Sequence, residues 1–176
     1  MVDLGSYKDK FGDSGQRILE HALNESRRRD QNFVSVEHIL QALTVEEPDM
    51  FNSAMRELSL DPIVVKMGIE KRLTSSRQQD VGKGFRIGHD TTDLFKRAME
   101  RARTQGRKTI EATDIFEALS SHDGLFVDVL RTMGANPEAI QENVRAQVQK
   151  REQEEEQNRK KFELPPYLKH FGVSLN

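Results

Sequence analysis

The chain has 176 residues, of which 35% are apolar and 32% charged; its net charge is −2 and it has no cysteine. The charge balance argues against general binding to nucleic acid or membrane surfaces, and the lack of cysteine excludes disulfides, thiolate zinc sites and thiol nucleophiles. The sequence contains neither a secretory signal at its start nor the about 20 consecutive apolar residues that a membrane span needs. We therefore expect a soluble, cytoplasmic protein with no nucleic-acid or membrane partner.

Four helices are predicted in the first half of the chain. Apolar residues keep helical spacing from about Ser14 to Arg29, and a shorter helix follows Ser35, a plausible N-cap. A third helix covers 50–58. The fourth begins at Pro62, where a missing N–H costs nothing, after Asp61 as its cap.

The second half repeats this pattern. SVEHILQAL at 35–43 returns as EATDIFEAL at 111–119, an offset of 76 residues, and at an offset of 75 Phe51 meets Phe126. A helix from near Asp90 ends at Gly106, a typical C′ residue, and a last helix starts at Asn136-Pro137. Apolar residues match while polar residues drift, which is typical of a repeated core. The prediction is an all-α fold of eight helices, formed by two pseudo-twofold-related four-helix repeats.

The repeats also predict the domain organisation. The domain occupies 1–150, with repeat one at about 11–73 and repeat two at about 87–150, joined by a polar linker at 74–86. Residues 151–176 are a charged linker, which either extends the last helix or is disordered, followed by a docking segment around Pro165-Pro166.

The stretch FGDSGQRILEHALNESRRRDQNFVSVEHILQAL at 11–43 resembles the Clp amino-terminal repeat of the AAA+ unfoldases, the ClpA, ClpB and ClpC group. In that family the second helix commonly starts Val-Gly-Thr-Glu-His-Leu-Leu, and residues 34–40 here read Val-Ser-Val-Glu-His-Ile-Leu. The resemblance extends to about Val148. The last residues, YLKHFGVSLN, are similar to the stretch that leads into the first ATPase module. We expect the amino-terminal domain and linker of a longer unfoldase.

The resemblance implies a non-enzymatic domain that recruits unfolded or tagged client proteins and adaptor proteins to the AAA+ ring, with or without a Clp-type peptidase. ATP would bind only the ATPase modules, so no cofactor is expected in this chain. Two alternatives remain open. The first is a free-standing Clp-repeat adaptor without an ATPase, and the second is a helical module that binds phosphate or nucleic acid through arginines.

Glu37 is the first candidate binding residue. In ClpC-type relatives the glutamate of this motif, in both repeats, holds phosphorylated arginine on marked clients. Here repeat two has Thr113 at the matching position, and the family's threonine near each repeat start is replaced by Gly12 and Gly88. The asymmetry predicts at most one phosphoarginine site. The alternative role for Glu37 is to stabilise the start of its helix through the macrodipole.

Arg27, Arg28 and Arg29 are candidate ligands for phosphate or an acidic adaptor, and Arg101, Arg103 and Arg107 occupy the comparable helix of repeat two. The alternative is a solvated helix end, whose dipole favours cations.

Phe33 has no apolar counterpart in repeat two, where Thr109 stands. It is therefore a candidate for an exposed client-binding patch, or for packing under the neighbouring loop.

The sequence shows no catalytic pattern. The five histidines lack metal-ligand spacing, VGKG at 81–84 lacks the phosphate-loop pattern, and no nucleophile–base pair can be identified. We expect no metal site and no enzymatic activity.

Overall fold

The computed structural model describes residues 2–75, 86–121 and 123–162, and within these ranges eight α-helices form two sets of four. This confirms the predicted all-α, two-repeat fold. Repeat one contains α1 (Asp13–Arg28), α2 (Val36–Glu46), α3 (Pro48–Glu57) and α4 (Pro62–Ser75). Repeat two contains α5 (His89–Thr104), α6 (Ala112–Ser120), α7 (Leu125–Thr132) and α8 (Pro137–Phe162).

A small sheet accompanies the helices and was not indicated by the sequence. Its three strands are β1 (Val2–Asp3), β2 (Phe33–Val34) and β3 (Arg86–Ile87), and a 3-10 helix (Leu4–Lys10) follows β1. The central strand β3 pairs antiparallel with β1 and parallel with β2. Two-residue strands are too short to show the alternation by which strands are detected in a sequence.

The predicted helix caps are confirmed. The Ser35 hydroxyl accepts the N–H of His38 at 3.3 Å. Asp61 and Asn136 each accept, through Oδ1, the N–H of the residue two positions later, at 2.9 Å and 2.8 Å. Gly106 has a positive φ of 77°, the left-handed conformation that glycine adopts without strain just past a helix end.

Two matched backbone pairings connect the repeats. Val34 in β2 pairs in parallel with Ile87 in β3, and Phe11 forms a parallel bridge with Ile110. The offset of 76 residues maps Phe11 onto Ile87 and Val34 onto Ile110, so the two pairings are one contact made twice with the roles exchanged. Such reciprocity is what a twofold relation between two halves requires.

Helix packing follows the same relation. The helix α1 packs on α2 as α5 packs on α6, and α2 packs on α4 as α6 packs on α8. Between the repeats, α3 contacts α8 and α4 contacts α7. Phe51, Phe116 and Phe126 meet in the core with ring centroids 5.9–6.4 Å apart, and all three are buried. Burial of each ring contributes about 1.5–3 kcal/mol, so the shared aromatic cluster is a major contact between the repeats.

A neutral hydrogen-bond network closes the α1–α2 junction around His38, which is buried. The Ser35 N–H donates to Nδ1 of His38 at 3.1 Å, which completes a capping box. Because Nδ1 accepts, Nε2 carries the ring proton and donates to Gln31 Oε1 at 2.9 Å. Burial lowers the pKa of His38 from its ordinary value of 6.5 to about 4.

The matching α5–α6 junction of repeat two has charged side chains where the α1–α2 junction has the neutral network. Asp114, which corresponds to His38, accepts the Glu111 N–H at 2.8 Å and the Arg107 guanidinium at 2.8 Å. Arg101 adds hydrogen bonds to Asp114 and Glu152, each at 2.7 Å, and a further contact with Glu117. Burial alone would lower the pKa of Arg101, but these hydrogen bonds raise it above its ordinary value.

The helix α8 continues past the predicted domain boundary at residue 150. Arg151 donates to Glu47 at 2.5 Å, and Glu152 belongs to the ion cluster of the α5–α6 junction. The charged stretch that follows is helical to Phe162, and the side chains of 153–161 are exposed. Most of the predicted linker (76–85) and the predicted docking segment (163–176) lie outside the described residues.

The buried ion cluster yields a stability prediction. Asp114 has no exposed surface, and Asp114→Ala would leave Arg101 and Arg107 without their central carboxylate. Removing one partner of a buried ionic cluster is costly, so we expect a loss of about 3 kcal/mol in the free energy of unfolding. Urea unfolding measures this loss. The control is Arg145→Ala, which removes a half-exposed pair with Glu117 at 3.4 Å and should cost under about 1 kcal/mol. Equal losses of unfolding free energy in both variants would contradict the view that the buried cluster matters more than an exposed ion pair.

His38 yields a pH prediction. Below pH 6.5 the unfolded chain protonates this histidine, while the folded protein keeps it neutral down to about pH 4. Its contribution to stability is therefore full above pH 6.5 and is lost as the pH falls, at roughly 1.4 kcal/mol per pH unit. Urea unfolding of the wild type and of His38→Gln between these pH values checks the slope. Parallel pH profiles would show that His38 is not the titrating group.

Candidate functional site

A groove of about 350 Å³ lies where the two repeats meet. Repeat one contributes residues 33–37, from β2 and the start of α2. Repeat two contributes Gly88 and the first half of α5, residues 118–119 at the end of α6, and residues 123–126 at the start of α7. The pairing of Val34 with Ile87 brings these segments together, since it places the start of α2 beside the start of α5.

The groove has an apolar wall and a charged rim. Val34, Leu94, Leu119 and Phe126 are buried in the wall, and the half-buried Leu125 lies nearer the surface. The ionisable side chains that line the groove are those of Glu37, His89, Asp90, Asp93, Arg97 and Asp123. An apolar wall with a few polar groups is typical of a site that buries side chains of a ligand.

Three helices begin at this groove. The caps of α2, α5 and α7 are Ser35, Gly88 and Gly124, and all three line it. The first N–H groups of a helix lack partners within the helix, so each start adds hydrogen-bond donors and a partial positive charge. Acidic residues in these first turns offset that charge.

Glu37 lies at the groove, as the hypothesis of a binding residue requires. It is the second residue of α2 and is half-buried. Within the described part of the chain, Glu37 makes no ion pair. Its position therefore suits both interpretations, because Glu37 lines the groove and also lies in the first turn of a helix.

The twofold counterpart of the groove is closed by a side chain of the protein itself. Gly12, the cap of α1, corresponds to Gly88, and a Cβ on Gly12 would collide with the Glu111 carboxylate. A Cβ on Gly88 would meet no atom within 4 Å. Ser35 corresponds to Glu111 and is too short to fill the equivalent space. Burial raises the pKa of Glu111, as expected for an enclosed carboxyl group.

Phe33 does not form an exposed patch, so that prediction is wrong. Only 3% of the residue is exposed. Its ring packs edge-on against His38, with ring centroids 5.6 Å apart, and its carbonyl accepts the Ser26 hydroxyl at 2.7 Å. Phe33 thus packs in the interior, the alternative that the sequence left open, and reaches the groove from inside.

Arg27 and Arg28 lie at the exposed end of α1 and do not line the groove. Arg28 pairs with Glu25 at 2.9 Å, and Arg27 contacts Asn24 at 3.4 Å. The structure therefore does not bring them together with Glu37.

The comparable arginines of repeat two do not form a surface patch. Arg101 and Arg107 are held by Asp114 and Glu152 in the ion cluster. Only Arg103 of the three is exposed. In repeat two, therefore, the arginines comparable to Arg27 and Arg28 do not form an exposed set.

Sequence reasoning missed the groove residues of repeat two, notably Asp90, Asp93, Arg97 and Asp123. None of them lies in the motif that drew attention to Glu37. The only pattern that could have located them is the alignment of the two repeats, combined with the exchange of contacts between them.

The described residues contain neither a metal-binding cluster nor a membrane-spanning helix. No three or more His, Asp or Glu side chains there are grouped to hold a metal ion. None of the helices described has both the length and the apolarity needed to cross a membrane.

The closed counterpart predicts the stoichiometry of phosphoarginine binding. With Glu111 in one position and an open groove at Glu37, any phosphoarginine should bind at one site per chain, and Glu37→Gln should abolish that site. Isothermal titration calorimetry with free phosphoarginine measures both quantities. Two equal sites per chain would show that Glu111 does not block the second position.

The fold recurs in solved structures of low sequence identity. The N-terminal domain of Hsp104 from Candida albicans matches with a TM-score of 0.66 and 14% identity, over 77% of this chain and 89% of that one. The N-terminal domain of ClpD from Arabidopsis thaliana matches at 0.60 and 17%, over 80% and 96%. A ClpV N-domain in complex with a VipB peptide matches at 0.58 and 15%, over 84% and 92%.

The sequence of the chain matches a known protein family. No curated protein sequence matches the chain. The family model "Clp repeat (R) N-terminal domain" matches residues 10–123, about two thirds of the sequence. The match includes all of repeat one and the start of repeat two through α6, and therefore most of the groove lining except residues 124–126. The chain therefore belongs to the Clp repeat N-terminal domain family.

Proposed function

We propose that this domain binds client and adaptor proteins in the groove between its repeats and recruits them to an ATP-dependent Clp-type unfoldase. The observation that carries the proposal is the open groove with an apolar wall, lined from both repeats. Family membership supports the connection to an unfoldase, and the structurally similar ClpV N-domain has been solved with a peptide bound.

In this proposal the domain performs no chemical step and needs no cofactor. The AAA+ modules of a longer protein supply ATP hydrolysis, and the domain acts in the cytoplasm. Binding uses an exposed apolar side chain of the client, which enters the groove beside Leu125 and excludes water from the apolar part of the lining. Removal of apolar surface from water provides the main driving force.

The helix α8 supports a recruiting role. Beyond Glu152 it extends for ten further residues, about 15 Å at the rise of an α-helix, with a charged and exposed surface over 153–161. A tether of this kind holds a captured client near the ring at high effective concentration.

Blocking the groove tests the proposal. Gly88 has an extended backbone that any residue adopts, and open space beyond its Cβ position, so Gly88→Trp should fill the groove without strain. We expect the Kd for a fluorescently labelled, permanently unfolded protein to rise at least about tenfold, measured by fluorescence anisotropy.

The matched control is Glu100→Trp, an exposed position on α5 that does not line the groove; its Kd should stay within about twofold of wild type. Thermal unfolding verifies that both variants fold. Unchanged binding in Gly88→Trp, with binding lost when Arg27 and Arg28 are both changed to Glu, would move the site to the end of α1.

A further inference from the structure

We propose that the groove selects protein segments in which an apolar side chain is flanked by lysine or arginine. The inference rests on the proposed function, since it concerns the same groove. It adds the chemistry of the segment that binds there, and it derives from the charge of the rim and the apolar wall beneath it.

The rim is strongly acidic compared with the whole chain. Four carboxylates line the groove, on Glu37, Asp90, Asp93 and Asp123, against one guanidinium, on Arg97. The complete sequence is nearly balanced, with 29 acidic and 27 basic residues. The acidic excess is therefore concentrated at the groove.

Most of these carboxylates are available to a ligand. Among the residues that the structure describes, Glu37, Asp90 and Asp123 form no ion pair. Asp93 lies 3.6 Å from His89, whose side chain is 88% exposed. A lysine or arginine at the rim would therefore meet carboxylates without displacing an internal cation.

The helix starts at the groove reduce the acidic excess without cancelling it. The N-termini of α2, α5 and α7 each contribute about half a positive charge, roughly 1.5 in all. With Arg97 the positive side reaches about 2.5, against four carboxylates. The groove keeps an excess of about 1.5 negative charges, which attracts a basic segment and repels an acidic one.

The wall determines the centre of the segment. The buried side chains of Val34, Leu94, Leu119 and Phe126 form the apolar part of the lining, and the half-buried Leu125 lines the groove with them. Because a buried lysine would lose hydration without a partner, the apolar side chain belongs at the wall and the basic residues at the rim. Affinity then comes from the apolar contact, and selection from the rim.

Three synthetic peptides of equal length test the inference, each with the same central leucines and with flanks of lysine, glutamine or glutamate. Fluorescence anisotropy gives the three Kd values at low salt. Each exposed ion pair is weak, so the preference is the sum of several of them. We therefore expect the lysine peptide to bind about tenfold more tightly than the glutamine peptide. The glutamate peptide should bind most weakly.

Variants connect the preference to the rim. The double substitution Glu37→Gln and Asp123→Asn should reduce the lysine preference to within about twofold, as should about 0.5 M salt, which screens exposed charges. Glu100→Gln, outside the groove, should preserve it. A glutamate peptide that binds as tightly as the lysine peptide, or a preference unchanged in the double variant, overturns the inference.

The two proposals fail in different ways. If all three peptides bind equally and Gly88→Trp abolishes their binding, the charge inference is wrong and the groove remains the binding site. If the unfolded protein binds in a manner sensitive to Gly88→Trp while no peptide binds, the inference is again wrong and the function stands. If neither the protein nor any peptide binds, both proposals are wrong.

Discussion

The structure depends on the reciprocal pairing between the two repeats. Val34 pairs with Ile87 and Phe11 with Ile110, so each repeat supplies the segment that completes the other. The Val34 carbonyl also accepts the Thr91 hydroxyl at 3.1 Å, which fixes the start of α5 against repeat one. A four-helix repeat of this size has little interior of its own, and the exchange gives both repeats one shared core. The groove is a consequence, because the exchange brings helix starts from different repeats side by side.

The twofold relation creates two equivalent positions, and single side chains make them different. Glu111 fills the space beside Gly12, whereas Ser35 leaves the space beside Gly88 open. The two helix junctions differ in the same way: the α1–α2 junction of repeat one has a neutral network around His38, and the α5–α6 junction of repeat two has ions around Asp114. One position thus contributes to the packing of the domain, and the other remains accessible to a ligand.

Local features of the fold could be predicted from the sequence, whereas the site could be predicted only in part. The helices and the caps at Ser35, Asp61 and Asn136 were correct because they depend on near neighbours. Glu37 was found through its motif. Of the two interpretations of Phe33, the exposed patch was wrong because a missing counterpart in the other repeat says nothing about burial. The ion pairs of Arg101 could not be predicted because its partners are distant in sequence. The charged groove residues on α5 and near α7 could be predicted only by knowing that the two repeats pair reciprocally.

The groove and the outgoing helix are connected through α6. Ala118 and Leu119, near the end of this helix, line the groove, and Asp114 and Glu117 on the same helix belong to the ion cluster that binds Arg101. Glu152 on α8 completes that cluster. A buried ionic cluster offsets the cost of desolvating its charges only when its hydrogen-bond geometry is good. We therefore interpret the cluster as setting the direction in which α8 leaves the domain relative to the groove, since both are fixed to the same nine-residue helix.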